Sequence, residues 1–171
     1  MARKGYFYLG QQFLPLFPTV FMVNNQLHDL IGECVSRRGA SLIDLLQRGH
    51  EGSLHLEVFI DNEPGITTEF CADVSRDINL LIDEKSLISG SYRLTVSSPG
   101  IDRALKFSWQ FKKHIGRVLK IRWKADGNTM ETEGKLLSVD DGALLLSTRS
   151  SGEAVRIEFG SVETAKVKVP W

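Results

Sequence analysis

The sequence is poor in the residues that build most catalytic and metal sites. Its only cysteines, Cys34 and Cys71, stand far apart and outside any CxxC pattern, so neither a disulfide framework nor a zinc site is expected. Reduced thiols in a cytoplasmic protein are the simplest reading. The four histidines, His28, His50, His55 and His114, are scattered, with no GxSxG, HExxH or neighbouring nucleophile pattern. An enzyme, a metal, a cofactor and a small-molecule substrate are therefore not expected. The one long apolar run, residues 13–23, follows Arg3 and Lys4 as a secretory signal would, but Pro15 and Pro18 interrupt it and no small-x-small cleavage site follows. It is also shorter than the ~20 residues needed to cross a bilayer, so no membrane association is expected. Met22 stands directly before Val23, Asn24 and Asn25, where the first helical pattern begins. It is read as the start of the working chain, with residues 1–21 an upstream extension and residues 1–25 without structure of their own.

Charge of either sign is not in excess, because 21 basic and 21 acidic side chains cancel, and the total argues neither for nor against a polyanionic partner. The distribution is less even. Residues 27–99 hold 6 basic and 12 acidic side chains, whereas residues 100–171 hold 13 basic and 9 acidic. The two halves are expected to do different jobs. At 171 residues and 42% hydrophobic content, the chain has enough apolar material for one ordinary domain or two small ones.

The patterning favours two. Leu27, Leu30, Ile31, Cys34 and Val35 fall on one face of a helix, with Asn24 or Asn25 to cap its start and Gly39 its end. The short apolar run 42–46 and the alternating Leu54, Leu56, Val58 and Ile60 read as a hairpin. Ile66-Thr67-Thr68-Glu69 offers an N-cap threonine and an early acid for a second helix carrying Phe70, Val74, Ile78, Leu81 and Ile82, and residues 92–97 read as a third strand. The order αββαβ allows two helices to cover one face of a small sheet. Pro99-Gly100 breaks the pattern. After a short segment at 109–114 nearly everything alternates as strands, punctuated at Asp126-Gly127, Asp140-Asp141-Gly142 and Ser150-Ser151-Gly152, which suggests a small barrel of about five strands. The expected boundaries are 26–98 for the α/β domain, 99–107 for a junction and 108–171 for the barrel.

Two loop motifs are set aside. Gly49-His50-Glu51-Gly52 matches the GxxG of RNA-clamping loops, but it joins two strands rather than two helices and contains an acid, so a hairpin turn is the better reading. Residues 127–135 end in Gly-Lys, yet the glycine spacing is wrong for a phosphate loop and Leu136 replaces the required Ser or Thr. The informative stretch is residues 103–124, which carries Arg103, Lys106, Lys112, Lys113, Arg117, Lys120, Arg122 and Lys124 without one acid. Alternation places Lys120, Arg122 and Lys124 on one face of a strand, where they can meet successive phosphates of an RNA or simply be solvated. Trp109 and Phe111 are read as packing the short segment onto the barrel rather than stacking on bases.

The run Tyr92-Arg93-Leu94-Thr95-Val96-Ser97-Ser98-Pro99-Gly100-Ile101-Asp102-Arg103-Ala104-Leu105 resembles the signature of the RimP family of ribosome maturation factors, a strand followed by SSPGxDRPL. Val58-Phe59-Ile60-Asp61, Gly65-Ile66-Thr67 and Cys71-Ala72-Asp73-Val74-Ser75-Arg76 are similar to the family's YID, GIT and C-x-x-VSR blocks in the same order. Residues 111–117 resemble its F-x-x-x-x-G-[RK], and Gly134-Lys135-Leu136 with Val139-Asp140-Asp141 its G-x-L-x-x-V-D-D. The resemblance spans about residues 26–169, with Ala104 standing where the family usually has proline. It implies an α+β protein: a KH-like αββαβ domain followed by an Sm-like or SH3-like barrel. It further implies a non-enzymatic protein that binds the free 30S subunit, through 16S rRNA and the small-subunit ribosomal protein numbered twelve, and promotes late assembly around the decoding region.

Within the junction motif Ser97, Ser98, Pro99, Gly100, Asp102 and Arg103, a structural role is expected. Pro99 fixes φ, Gly100 permits a reversal, and Asp102 and Arg103 can pair with each other or reach neighbouring backbone. Direct contact of Arg103 with the ribosome is the functional alternative. Candidate RNA or ribosome contacts are Lys106, Lys112, Lys113, Arg117, Lys120, Arg122 and Lys124. A different class, an Sm-like RNA-binding regulator unconnected with ribosomes, accounts for a basic barrel but not for the acidic α/β half or the junction motif.

Overall fold

A computed structural model describes residues 25–50, 52–125, 127–148 and 152–169. The extension 1–21, the reading of Met22 as a start and the Asn24 cap lie outside the described residues, as do Glu51, Asp126 and the Ser150-Ser151 part of the last turn.

The first unit runs α1 (Asn25–Arg37), β1 (Ser41–His50), β2 (Ser53–Asp61), α2 (Thr68–Glu84) and β3 (Tyr92–Ser97). Helix α1 buries Leu27, Ile31, Cys34 and Val35. It stops in a Schellman motif: Ala40 N–H donates to the Val35 carbonyl and Gly39 N–H to Ser36, with Gly39 at φ 76°. Thr67 caps α2 through its hydroxyl, which accepts from the Phe70 amide at 3.1 Å. Strands β1 and β2 are antiparallel with His50 opposite Ser53, so the GxxG segment closes a hairpin. Strand β3 returns parallel to β2 after the α2 crossover, giving the order β1-β2-β3. Alternation in β2 puts Leu54, Leu56, Val58 and Ile60 under the helices, where they meet Ile31, Val35, Val74 and Ile78 in one core. Its other side chains, including His55, Glu57, Phe59 and Asp61, occupy the polar face of the sheet.

The second unit contains α3 (Ser108–Lys112), β4 (Val118–Ala125), β5 (Asn128–Val139), β6 (Ala143–Thr148), β7 (Ala154–Glu158), a 3-10 turn (Phe159–Ser161) and β8 (Val162–Val167). All its strands are antiparallel, in the order β7-β6-β5-β4-β8. Leu119, Ile121, Leu136, Leu144, Leu146, Ile157 and Ala165 make a second core, which Phe111 of α3 closes edge-on to Phe159 at 5.2 Å. Gly134 is required where β5 crosses β6, because a Cβ there would lie 2.6 Å from the Ser147 carbonyl oxygen. The architecture is mixed α+β, with a separate apolar core under each sheet.

Candidate nucleic-acid interface

The acid-free stretch is acid-free only along the chain. Strand β4 lies between β5 and β8, and both neighbours bring glutamates to its outer face. Lys120 Nζ sits 2.8 Å from Glu131, while Arg122 and Lys124 approach Glu163 at 3.6 and 3.8 Å. All three cations are exposed, so each pair is weak, but the local field is that of mixed charges rather than a uniform positive stripe.

The other half of the stretch turns inward to the first unit. Between Leu42 and Asp44 the β1-β2 register shifts, leaving Ile43 as the extra residue of a bulge. Its carbonyl accepts from Lys106 Nζ, and the next side chain, Asp44, accepts from Arg103 Nη1. The Arg103 guanidinium also lies 3.4 Å above the centre of the Phe59 ring. Asp61, at the end of β2, accepts from Lys113 Nζ at 2.8 Å and from Gln110 Nε2 at 3.2 Å, and Lys113 also donates to the Asn62 carbonyl. The two sheets are thus tied by side chains from one short segment. Gly100, at φ 65°, supplies the reversal expected of it. Arg103 is paired with Asp44 rather than with Asp102, which is exposed. Ser97 ends β3 opposite Phe59, and Ser98 is exposed.

Gln110 is the hinge pin of this arrangement. It is 2% exposed, and every polar atom of its amide is used: Oε1 accepts from the Lys106 amide at 2.8 Å and the Phe107 amide at 3.1 Å, while Nε2 donates to Asp61. Beside it, burial pushes the His114 imidazole below its ordinary pKa, helped by the Arg117 and Lys113 charges and opposed by Asp61. His114 Nδ1 and Asn62 Oδ1 are buried without a hydrogen-bond partner among the described residues.

Of the seven candidate contact residues, the structure therefore brings Lys106 and Lys113 into the seam and gives Lys120, Arg122 and Lys124 glutamate neighbours. Lys112 and Arg117 are exposed, and no carboxylate pairs with them among the described residues. Reading the sequence missed Asp44, Asp61 and Gln110. A charged residue at the centre of the run Leu42-Ile43-Asp44-Leu45-Leu46 was the available signal for Asp44. Gln110 carried none, since its burial depends on two units meeting.

No helix among the described residues is long and apolar enough to cross a membrane. The model of the RimP N-terminal domain matches residues 30–102, from the first turns of α1 through the Pro99-Gly100 reversal to Asp102. Residues 30–102 carry a RimP N-terminal domain. This domain supports the ribosome maturation factor family broadly, and most of the junction signature that carried the resemblance lies at the C-terminal end of the matched segment.

Proposed function

We propose that this chain is a RimP-family factor that binds the free 30S subunit, through 16S rRNA and the small-subunit ribosomal protein numbered twelve, and promotes late assembly around the decoding region in the cytoplasm. The observation that carries this reading is the family match over residues 30–102, which ends at the junction motif from which Arg103 ties the two units together. Strand order β7-β6-β5-β4-β8 with a 3-10 turn before the last strand fits an Sm-like or SH3-like barrel, and αββαβ fits a KH-like unit. Both are folds that hold RNA. On this reading the units are domains spanning 26–98 and 108–171, joined by 99–107, and the seam sets the angle at which both are offered to one partner.

Sedimentation with 30S, 50S and 70S particles tests the proposal. Co-migration with 30S alone is expected, weakening as salt rises because phosphate contacts release counterions. Association with free small RNAs and with no ribosomal particle would replace it by an Sm-like regulator.

A further inference from the structure

Three large apolar side chains are exposed along the junction and the segment around α3: Ile101, Phe107 and Ile115. Phe107 differs from the other two in how firmly it is presented. It is the N-cap of α3, with an extended backbone at φ −112° and ψ 142°, and a phenylalanine there cannot cap the helix with its side chain. The cap is made from the other direction, by the buried Gln110 amide oxygen that accepts from the Phe107 and Lys106 amides. Since Gln110 is itself anchored on Asp61, the backbone beneath Phe107 is fixed by both units while the residue remains 37% exposed.

The ring has a partner on one side. Phe107 and Trp109 lie nearly parallel, with centroids 5.8 Å apart and an interplanar angle of 11°, and Lys113 Nζ stands 4.9 Å from the Trp109 ring centre. Along the same segment of chain, Lys112 and Arg117 are exposed with no carboxylate partner among the described residues, and Lys106 Nζ donates to the Ile43 carbonyl. The nearest acids of the seam, Asp44 and Asp61, are already bonded to Arg103, Lys113 and Gln110.

We propose that Phe107, backed by Trp109, is a stacking platform for an unpaired RNA base, with Lys112 and Arg117 on the flanking phosphates. The proposal rests on the ribosomal-RNA reading above and names the residues that perform it. A partly exposed ring on a hydrogen-bonded backbone, stacked against Trp109, matches what an unstacked base needs, and unpaired cations in the same short segment match the backbone that such a base carries. An apolar protein partner would use the ring but leave the cations without a role.

The test uses the full chain with 3′-labelled single-stranded 12-mers of adenylate and uridylate, alongside 30S pelleting and thermal melting, for the parent and for Phe107→Ala, Phe107→Leu and Phe107→Trp. The larger purine surface stacks better, so the parent should bind oligoadenylate more tightly than oligouridylate. Alanine and leucine should both weaken oligoadenylate binding by between about fivefold and a hundredfold, and erase the preference, at unchanged melting temperature. Tryptophan should retain both. Full retention by leucine would overturn the proposal, since apolar contact alone would then suffice. A parent that pellets with 30S but binds neither oligonucleotide, with pelleting lost in Phe107→Ala, would also overturn it and assign the surface to a ribosomal protein. A parent that fails to pellet while Phe107 still governs oligoadenylate binding would uphold the platform and sink the ribosomal reading instead.

Discussion

The two ends of one basic stretch meet opposite surroundings. From Lys120 to Lys124 the cations stand on a sheet whose neighbouring strands supply Glu131 and Glu163, so a positive run in sequence becomes a mixed-charge lattice of three cations and two carboxylates in space. From Arg103 to Arg117 the chain is not yet in the sheet. There the cations divide between those that lock the units together, Arg103, Lys106 and Lys113, and those left facing solvent, Lys112 and Arg117. Linear charge density is therefore a poor guide wherever antiparallel pairing brings distant residues alongside, and a better one in segments that pair with nothing.

That comparison can be broken most sharply at the carboxylates. Asp61→Ala removes the shared acceptor of Gln110 and Lys113 at a side chain only 13% exposed, leaving donors unsatisfied in the seam. A loss of about 2 kcal/mol in urea unfolding is expected. Glu163→Ala, on the open β4 face, should change stability by no more than about 0.5 kcal/mol. Equal losses would show that the two environments are not energetically distinct.

Binding should follow the reverse order. Lys112→Gln with Arg117→Gln is expected to lower 30S affinity and reduce the slope of log affinity against log salt by about one, as loss of one to two phosphate contacts requires. Lys120→Gln, Arg122→Gln and Lys124→Gln together, though one charge more, should change that slope less, because each cation has a glutamate neighbour. Titration of 30S binding across salt concentrations, with melting curves as controls, decides between the two faces. A steeper effect from the triple change would return recognition to β4.

The smallest effect is one of pH. His114 is half-buried, and its folded-state pKa lies below the unfolded value of about 6.5. Stability from this group is complete above the unfolded pKa and is lost as pH falls toward the folded one, because the unfolded chain then binds the proton more readily. Melting of the parent should decline as pH falls below about 6.5, and His114→Asn should flatten that part of the profile. An unchanged slope would show that the seam does not sense His114 protonation.

Local physics made much of this protein legible from its residues alone. The 3.6-residue apolar spacing defined α1, the Thr67-Thr68 pair announced α2, alternation defined β2, and Pro99-Gly100 marked the break in pattern between units, since all of these depend on neighbours within a few residues. The long junction motif carried the family for the same reason, as an uninterrupted string. Tertiary structure alone decided which charges are free. The bulge at Ile43, the acids beside β4 and the burial of Gln110 arise from strands and units separated by tens of residues, and the Coulomb and hydrogen-bond terms that sort these side chains act over ångströms in space rather than positions in sequence.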